Sequence, residues 1–416
     1  MQISFFGATN SGKSTLVNAL AGQQVSLVSP LPGTTTDPVR KRIELPGLGA
    51  CILVDTAGYG DEGALGAERE RLTRGVIDAT DLAVLLRSGH PADDRWVALL
   101  NKAEVPTVIV DRTDGPWTPA LTQALLRRMA EAMPKEAERF LTGRLVKPGD
   151  QVLLVMPQDS EAPKGRIILP QVQVLRELLD RGCIPHCCTP ETLPAALAGL
   201  REPPALVITD SQAFRTVNAF LPEEVPLTSF SVLLAGLKGD LRSFILGAEA
   251  IDRLQPGDRV LIAEACTHVP DNEDIGRVKI PTLLQKRIKA TAPDSGSAPA
   301  QVAVPGSEGA LTVNAATENV SACAQITAPG RAGATVLSTG ADMGPAGPLT
   351  IDIAAGNDFP EDLSPYRLII HCGACVANTA LVRARIRKAR LAGVPITNYG
   401  IALAHLHGIL PRIALP

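Results

Sequence analysis

The chain has no surplus of positive charge: 40 Lys and Arg stand against 43 Asp and Glu, interspersed, for a net charge of −3. A nucleic-acid partner needs Lys and Arg to neutralise phosphate, so no basic face invites DNA or RNA. No apolar run reaches the length that crosses a bilayer, so no membrane partner is expected either. Met1 leads almost at once into Ile3-Ser-Phe-Phe6 and a glycine-rich loop, which leaves no room for the charged and apolar regions of a signal peptide. Cysteines are few, 8 in 416 residues, and unevenly spaced. In a chain without a leader this favours metal or redox use over disulfides, and a cytoplasmic protein with reduced thiols. The length, with 45% apolar content, suffices for roughly two to four domains with real cores.

What the chain does carry is a pair of cysteine-histidine clusters, Cys266-Thr-His268 and His371-Cys372-Gly-Ala-Cys375. Each directly follows an apolar run, Arg259-Val-Leu-Ile-Ala-Glu264 and Tyr366-Arg-Leu-Ile-Ile370, that reads as a buried strand. If the two strands lie side by side and parallel, their C-terminal ends form the crevice where α/β sheets place ligands. Thiolates gathered there with imidazole suit an iron-sulfur cluster or zinc.

At the other end, Gly7-Ala-Thr-Asn10-Ser11-Gly12-Lys13-Ser14 fits the G-x-x-x-x-G-K-[ST] phosphate loop at every fixed position. A strand at 3–6 precedes it and a helical run, Ser14-Thr15-Leu-Val-Asn-Ala-Leu-Ala21, follows. In that context backbone N–H groups cradle phosphates, Lys13 neutralises β/γ charge and Ser14 reaches Mg²⁺. Downstream, Cys51-Ile-Leu-Val-Asp55-Thr-Ala-Gly58 is a strand ending in a carboxylate that faces Mg²⁺. Asp55-x-x-Gly58 resembles switch II of small GTPases, and Pro32-Gly-Thr-Thr35-Thr36-Asp37 resembles switch I, with Thr35 or Thr36 closing over Mg²⁺ and the γ-phosphate. Residue 59 is Tyr where many GTPases have a water-orienting Gln, so slow intrinsic hydrolysis is expected. Asn10 resembles the residue of GTPases that use K⁺ in place of an arginine finger.

The guanine-reading motif is altered. Asn101-Lys102-Ala-Glu104 looks like it but precedes the strand at 105–110, whereas Asp111-Arg112-Thr113-Asp114 follows that strand. Asp114 has the chemistry to take the two guanine N–H donors and Arg112 to stack on the base, while Asp111 supplies no amide donor. GTP is the expected nucleotide.

Together the phosphate loop and the clusters resemble the HydF family of FeFe-hydrogenase maturation GTPases. Further segments carry the resemblance: Asp159 to Gln171, Val207 to Phe214, Leu227-Thr-Ser-Phe230, Lys238-Gly-Asp240, Asp274 to Lys279 and Pro395-Ile-Thr-Asn-Tyr-Gly400. It implies an α/β chain in three parts: a P-loop GTPase domain at 1–140, a small parallel α/β dimerisation domain at 141–253 and an α/β iron-sulfur cluster-binding domain at 254–416. It implies a 4Fe-4S cluster on Cys266, Cys372 and Cys375, with His268, His371 or an exchangeable ligand in the fourth position. The biological role it implies is that of a homodimer or higher oligomer that receives a two-iron precursor through two radical-SAM maturases and passes it to apo FeFe-hydrogenase.

Between the ends, strands at 151–156 and 206–208 alternate with a helix at 171–181 and a further apolar stretch at 225–235, the pattern of a small parallel sheet with helices. His186-Cys187-Cys188 reads as packing or surface, since adjacent cysteines do not turn both sulfurs to one metal. From about 290 to 347 the text is Ala, Gly, Ser, Thr and Pro with no aromatic residue, the composition of a flexible insertion, and Cys323 within it is not an expected ligand. Two other readings stand beside this one: a translation- or RNA-associated GTPase with a zinc-stabilised C-terminal domain, and a GTPase domain retained for shape alone.

Overall fold

The computed structural model describes residues 1–22, 39–60, 64–111, 116–134, 139–158, 165, 167–265, 274–291, 349–356 and 358–416. The first sheet and its helices comprise β1 (Gln2–Gly7), α1 (Lys13–Ala21), β2 (Val39–Leu45), β3 (Gly49–Asp55), α2 (Ala64–Ile77), β4 (Leu82–Arg87), α3 (Asp93–Lys102), β5 (Thr107–Asp111) and α4 (Pro119–Ala132). Strand order is β2-β3-β1-β4-β5, parallel except where β2 pairs antiparallel with β3. Successive side chains of β1 feed opposite faces: Ile3 and Phe5 pack with Leu16 and Leu20 of α1, Phe6 with Trp96 and Leu100 of α3. With both faces covered, every residue of this central strand is buried, the polar Gln2 and Ser4 included.

The second unit runs β6 (Gln151–Val155), α5 (Leu169–Asp180), β7 (Ile184–Cys188), α6 (Leu193–Gly199), β8 (Leu206–Thr209), α7 (Phe214–Asn218), β9 (Leu227–Ser229) and α8 (Phe230–Lys238), and α9 (Leu241–Ala248) follows it. The third runs β10 (Arg259–Glu264), α10 (Ile280–Thr291), β11 (Thr350–Ala355), β12 (Leu368–His371), α11 (Thr379–Leu391), β13 (Ile396–Asn398) and α12 (Tyr399–Leu406). Both sheets are fully parallel, ordered β7-β6-β8-β9 and β11-β10-β12-β13. In each, the chain's first strand is flanked by its second and third. No residue pattern marks a strand at 184–188, yet β7 forms there at the sheet edge, where Cys187 is exposed and Cys188 half-buried.

The second and third units share one core, in which Leu153 and Val207 join Leu261, Ile262 and Ile370. Helix α9 presses so closely on β13 that a Cβ at Gly247 would collide with the Ile396 carbonyl. The first unit docks through the turn after α2: Asn378 Nδ2 donates to Ala79 O at 2.7 Å and Asp81 Oδ2 at 2.9 Å. Arg387 pairs with Glu104 at 3.2 Å and Lys388 with Asp78. Among the described residues, no helix is long and apolar enough to cross a membrane.

Candidate functional site

The phosphate loop sits between β1 and α1, and its backbone has the shape an anion cradle requires. Asn10 and Gly12 both adopt the left-handed region, φ 62° and 95°, which turns successive N–H groups toward one side. Lys13 is buried and folds back, Nζ donating to Gly7 O at 3.0 Å and Ala8 O at 2.9 Å. Ser11 Oγ and Thr9 Oγ1 are buried with no hydrogen-bond partner among the described residues. A Cβ at Gly7 would crowd Ser11 Oγ and Leu86 O. Ser14 is half-buried in the first turn of α1, Thr15 is exposed, and the Asp55 carboxylate is buried at the end of β3, one strand over from the loop. Unsatisfied hydroxyls, a folded-back ammonium and a buried carboxylate at one strand edge fit a nucleotide phosphate with Mg²⁺.

Switch II is clamped to this loop. Thr9 N donates to Tyr59 O at 3.0 Å, and a Cβ at Gly58 would collide with Thr9. Tyr59 is 1% exposed, stacked on Trp96 at 4.9 Å, with its hydroxyl donating to Asp93 at 2.7 Å. Burial and that carboxylate push its pKa upward. A side chain so engaged is a structural anchor, not a group that orients water. At the far end of the sheet, Asp111 is exposed and pairs with Arg87 at 3.1 Å. Asn101 and Lys102 end α3, and Glu104 contacts Arg387 of the third unit, so the look-alike tetrapeptide lies away from the strand ends that hold the phosphate loop. Thr35, Thr36, Arg112 and Asp114 lie outside the described residues.

In the third unit, β10 and β12 are adjacent and parallel, Ala263 beside His371, as the two apolar runs suggested. Cys372 follows at the strand end. Its N–H donates to Ala263 O at 2.9 Å, and its Sγ accepts from Ala265 N at 3.1 Å and Ala374 N at 3.4 Å. Two N–H donors on one sulfur favour the thiolate form. Ala374 at φ 53° turns the loop so that Cys375 follows half-buried. Cys266, His268 and Cys323 lie outside the described residues, but Ala265, bonded to the Cys372 sulfur, immediately precedes 266. Among the described residues, no three Cys, His, Asp or Glu side chains form a metal-holding group. Thiols stabilised by backbone N–H groups are nonetheless the donor type that holds iron-sulfur clusters.

His371 is completely buried, and both ring nitrogens are in use: Nδ1 lies 2.8 Å from Cys372 O and Nε2 3.1 Å from Arg385 Nη1. A carbonyl accepts only and a guanidinium donates only, so Nδ1 carries the proton and Nε2 accepts. Burial, then Arg385, hold the pKa down to about 3, so the ring is neutral. Ligation by His371 would require these bonds to break. Arg385, 0% exposed, also donates to Glu264 O at 3.1 Å and Gly356 O at 2.5 Å, tying together the ends of β10, β11 and β12. Lys238, from the second unit, donates to Ala374 O at 2.8 Å, Cys375 O at 3.1 Å and Ala377 O at 2.9 Å. Burial lowers its pKa while Cys375 and Cys372 oppose that shift. Neither cation belongs to a motif that marks these contacts in the sequence. By contrast, of the adjacent pair, Cys187 is exposed and Cys188 half-buried in the edge strand, where burial and then Cys187 push its thiol up to about 11.

Comparison with known proteins divides the chain along the same lines. Residues 2–112 match the 50S ribosome-binding GTPase family, 141–239 the hydrogen maturase F dimerization domain, and 242–298 with 343–416 the hydrogen maturase F tetramerization domain. The last match breaks within the stretch read as an insertion. Among curated relatives, tRNA modification GTPase MnmE of Methylobacterium sp. (strain 4-46) is 49% identical over 82 residues, 19% of this chain and 18% of that one. MnmE of Acidiphilium cryptum is 45% identical over 113 residues, 25% and 26%. The chain thus spans about a fifth to a quarter of these relatives, all of it in the GTPase part. Among solved structures, a variant of Aquifex aeolicus Era bound to GDP.AlF4- is 16% identical with TM-score 0.29, covering 47% of this chain and 97% of that one. GMPPNP-bound NFeoB from S. thermophilus is 20% identical with TM-score 0.23, covering 26% and 42%. Scores this low leave the fold to be read from the sheet order itself. The two hydrogen maturase F matches together take in more than half of the 416 residues, and the GTPase match accounts for the N-terminal sheet. The chain belongs to the HydF family of hydrogenase maturation GTPases.

Proposed function

We propose that this protein is a GTP-binding, slowly GTP-hydrolysing scaffold for FeFe-hydrogenase maturation, divided at 140/141 and 253/254. In this reading Cys266, Cys372 and Cys375 hold a 4Fe-4S cluster, and His268 or an exchangeable ligand takes the fourth position. His371 orients the strand end instead. The cargo is the two-iron precursor, received through two radical-SAM maturases and delivered to apo-hydrogenase in the cytoplasm by a homo-oligomer. The observation that carries the reading is the Ala265 N–H on Cys372 Sγ. It brings the residue before one cluster motif against the first thiol of the other.

The nucleotide half works through the chain's own groups. Loop N–H groups and Lys13 take the phosphates, Ser14 and Asp55 hold Mg²⁺, which supplies charge neutralisation, and Thr35 or Thr36 with Gly58 close on the γ-phosphate. Asp111, Arg112 and Asp114 read the base. Because Tyr59 is anchored on Asp93 and Trp96, no switch side chain at that position orients water, hence slow turnover. Asn10, exposed in the loop, fits a K⁺ requirement; equal turnover in Na⁺ and K⁺ would remove that part.

Anaerobic reconstitution with iron and sulfide should give a brown protein whose reduced form shows an iron-sulfur electron paramagnetic resonance signal. Colourless protein with stoichiometric zinc would favour the zinc reading instead. Lys13→Ala should abolish nucleotide binding and leave the cluster in place, because the two sites stand on separate sheets.

A further inference from the structure

Two cations converge on the Cys372–Cys375 loop, and neither is bonded by a carboxylate among the described residues. Lys238 spends its three N–H donors on the carbonyls of Ala374, Cys375 and Ala377. Arg385, wholly buried, is met by two carbonyls, a neutral imidazole and the face of the Phe359 ring at 5.0 Å, and its Nε has no hydrogen-bond partner among the described residues. The nearby acids are engaged elsewhere, Glu264 by Arg277 at 2.8 Å and Asp78 by Lys388. Carbonyl dipoles solvate a desolvated cation but do not neutralise it, so positive charge is left over here, where burial makes that costly. Among the described residues, the groups at the loop left to meet that charge are the Cys372 and Cys375 sulfurs with whatever they hold.

We propose that Lys238, supplied by the second unit, is the positioning residue and countercharge of the group held by Cys372 and Cys375. By binding three carbonyls in four consecutive residues it fixes the loop that spaces the two sulfurs. Its charge, with that of Arg385 behind the strand end, stabilises an anionic occupant and favours its reduced, more negative state. This rests on the cluster reading above.

The test uses the full chain, reconstituted anaerobically with iron and sulfide, as wild type, Lys238→Met and Lys238→Arg. Expected is a lower midpoint potential in Lys238→Met, by about a tenfold change in the reduction equilibrium, about 59 mV for one electron. Lys238→Arg, which keeps the charge, should return the potential toward wild type. Loss of iron from folded Lys238→Met, with retention in Lys238→Arg, would equally support the role. Unchanged potential and iron content in Lys238→Met would overturn it while leaving the cluster reading intact. A wild type that takes up no iron-sulfur cluster would overturn both. If Lys238→Met does not fold, Lys238→Gln, which keeps donors without charge, is read against the same criteria.

Discussion

The unit beginning at Gln151 and the unit beginning at Arg259 are built alike. Each opens on a Pro-Gly-Asp turn, Pro148-Gly-Asp150 and Pro256-Gly-Asp258, with the glycine at φ 89° and 90°. Each has its second strand on one side of the first and its third on the other. Val225-Pro-Leu-Thr-Ser-Phe-Ser-Val-Leu-Leu-Ala is echoed by Val394-Pro-Ile-Thr-Asn-Tyr-Gly-Ile-Ala-Leu-Ala, and Ser229 and Asn398 each cap the helix that follows. Register fixes the correspondence: Val155 lies beside Thr209 as Ala263 lies beside His371. The next residue is then Asp210 in one unit and Cys372 in the other. One fold therefore carries a thiol at one copy of this strand end and a carboxylate at the other. The sheet places the site, and the strand-end residues decide what it holds.

The largest effect should fall where the copies differ. Cys372→Ser should strip bound iron to background, beyond the roughly 10–100-fold affinity loss typical of outer-shell changes. Asp210→Ser, at the corresponding position, should leave iron content unchanged. Iron and sulfide assays on reconstituted protein check both, and iron loss in Asp210→Ser would break the distinction between the copies.

Smaller effects should fall where the copies agree. Leu153 and Leu261 occupy matching positions, are essentially unexposed, and belong to one core. Truncating either to Ala should cost about 2–5 kcal/mol and lower the same cooperative transition, because the core is continuous. Two separate unfolding transitions, each sensitive to one variant, would show instead that the units are stabilised independently.

Much of the site's frame was legible in the sequence because buried parallel strands are short apolar runs and the phosphate loop is a fixed spacing. β10 covers the apolar run 259–264 itself, and β12 lies within a residue or two of the run 366–370 at each end. β7 was not legible: an edge strand reading Ile-Pro-His-Cys-Cys, with burial on neither face complete, has no periodicity to give it away. The repeat was visible in Leu227-Thr-Ser-Phe230 and Pro395-Ile-Thr-Asn-Tyr-Gly400, and aligning the two would have exposed it. The contacts of His371, Arg385 and Lys238 were not, because each depends on which carbonyl or ring another segment brings to it. His371 beside two cysteines reads as one candidate for the fourth position, and nothing in the sequence shows that Arg385 and the Cys372 carbonyl occupy both its nitrogens.

The smallest effect sharpens the comparison most closely, because it tests geometry alone. Asp150 Oδ2 accepts from Lys147 N at 2.9 Å, and Asp258 Oδ2 accepts from Gln255 N at 2.8 Å. These are solvent-facing turns, so each bond should contribute about 1 kcal/mol net. Asp258 has in addition Arg367 at 3.5 Å, with that side chain 74% exposed, and exposed pairs contribute only about 0.2–1 kcal/mol. Asp150→Ala and Asp258→Ala should therefore destabilise by about 1 kcal/mol each in denaturant titration, Asp258→Ala slightly more, with the difference shrinking at high salt. A several-fold larger cost for Asp258→Ala that survives salt would mean that this carboxylate, unlike its counterpart, holds up the cysteine-bearing sheet by more than the Gln255 bond and the Arg367 pair.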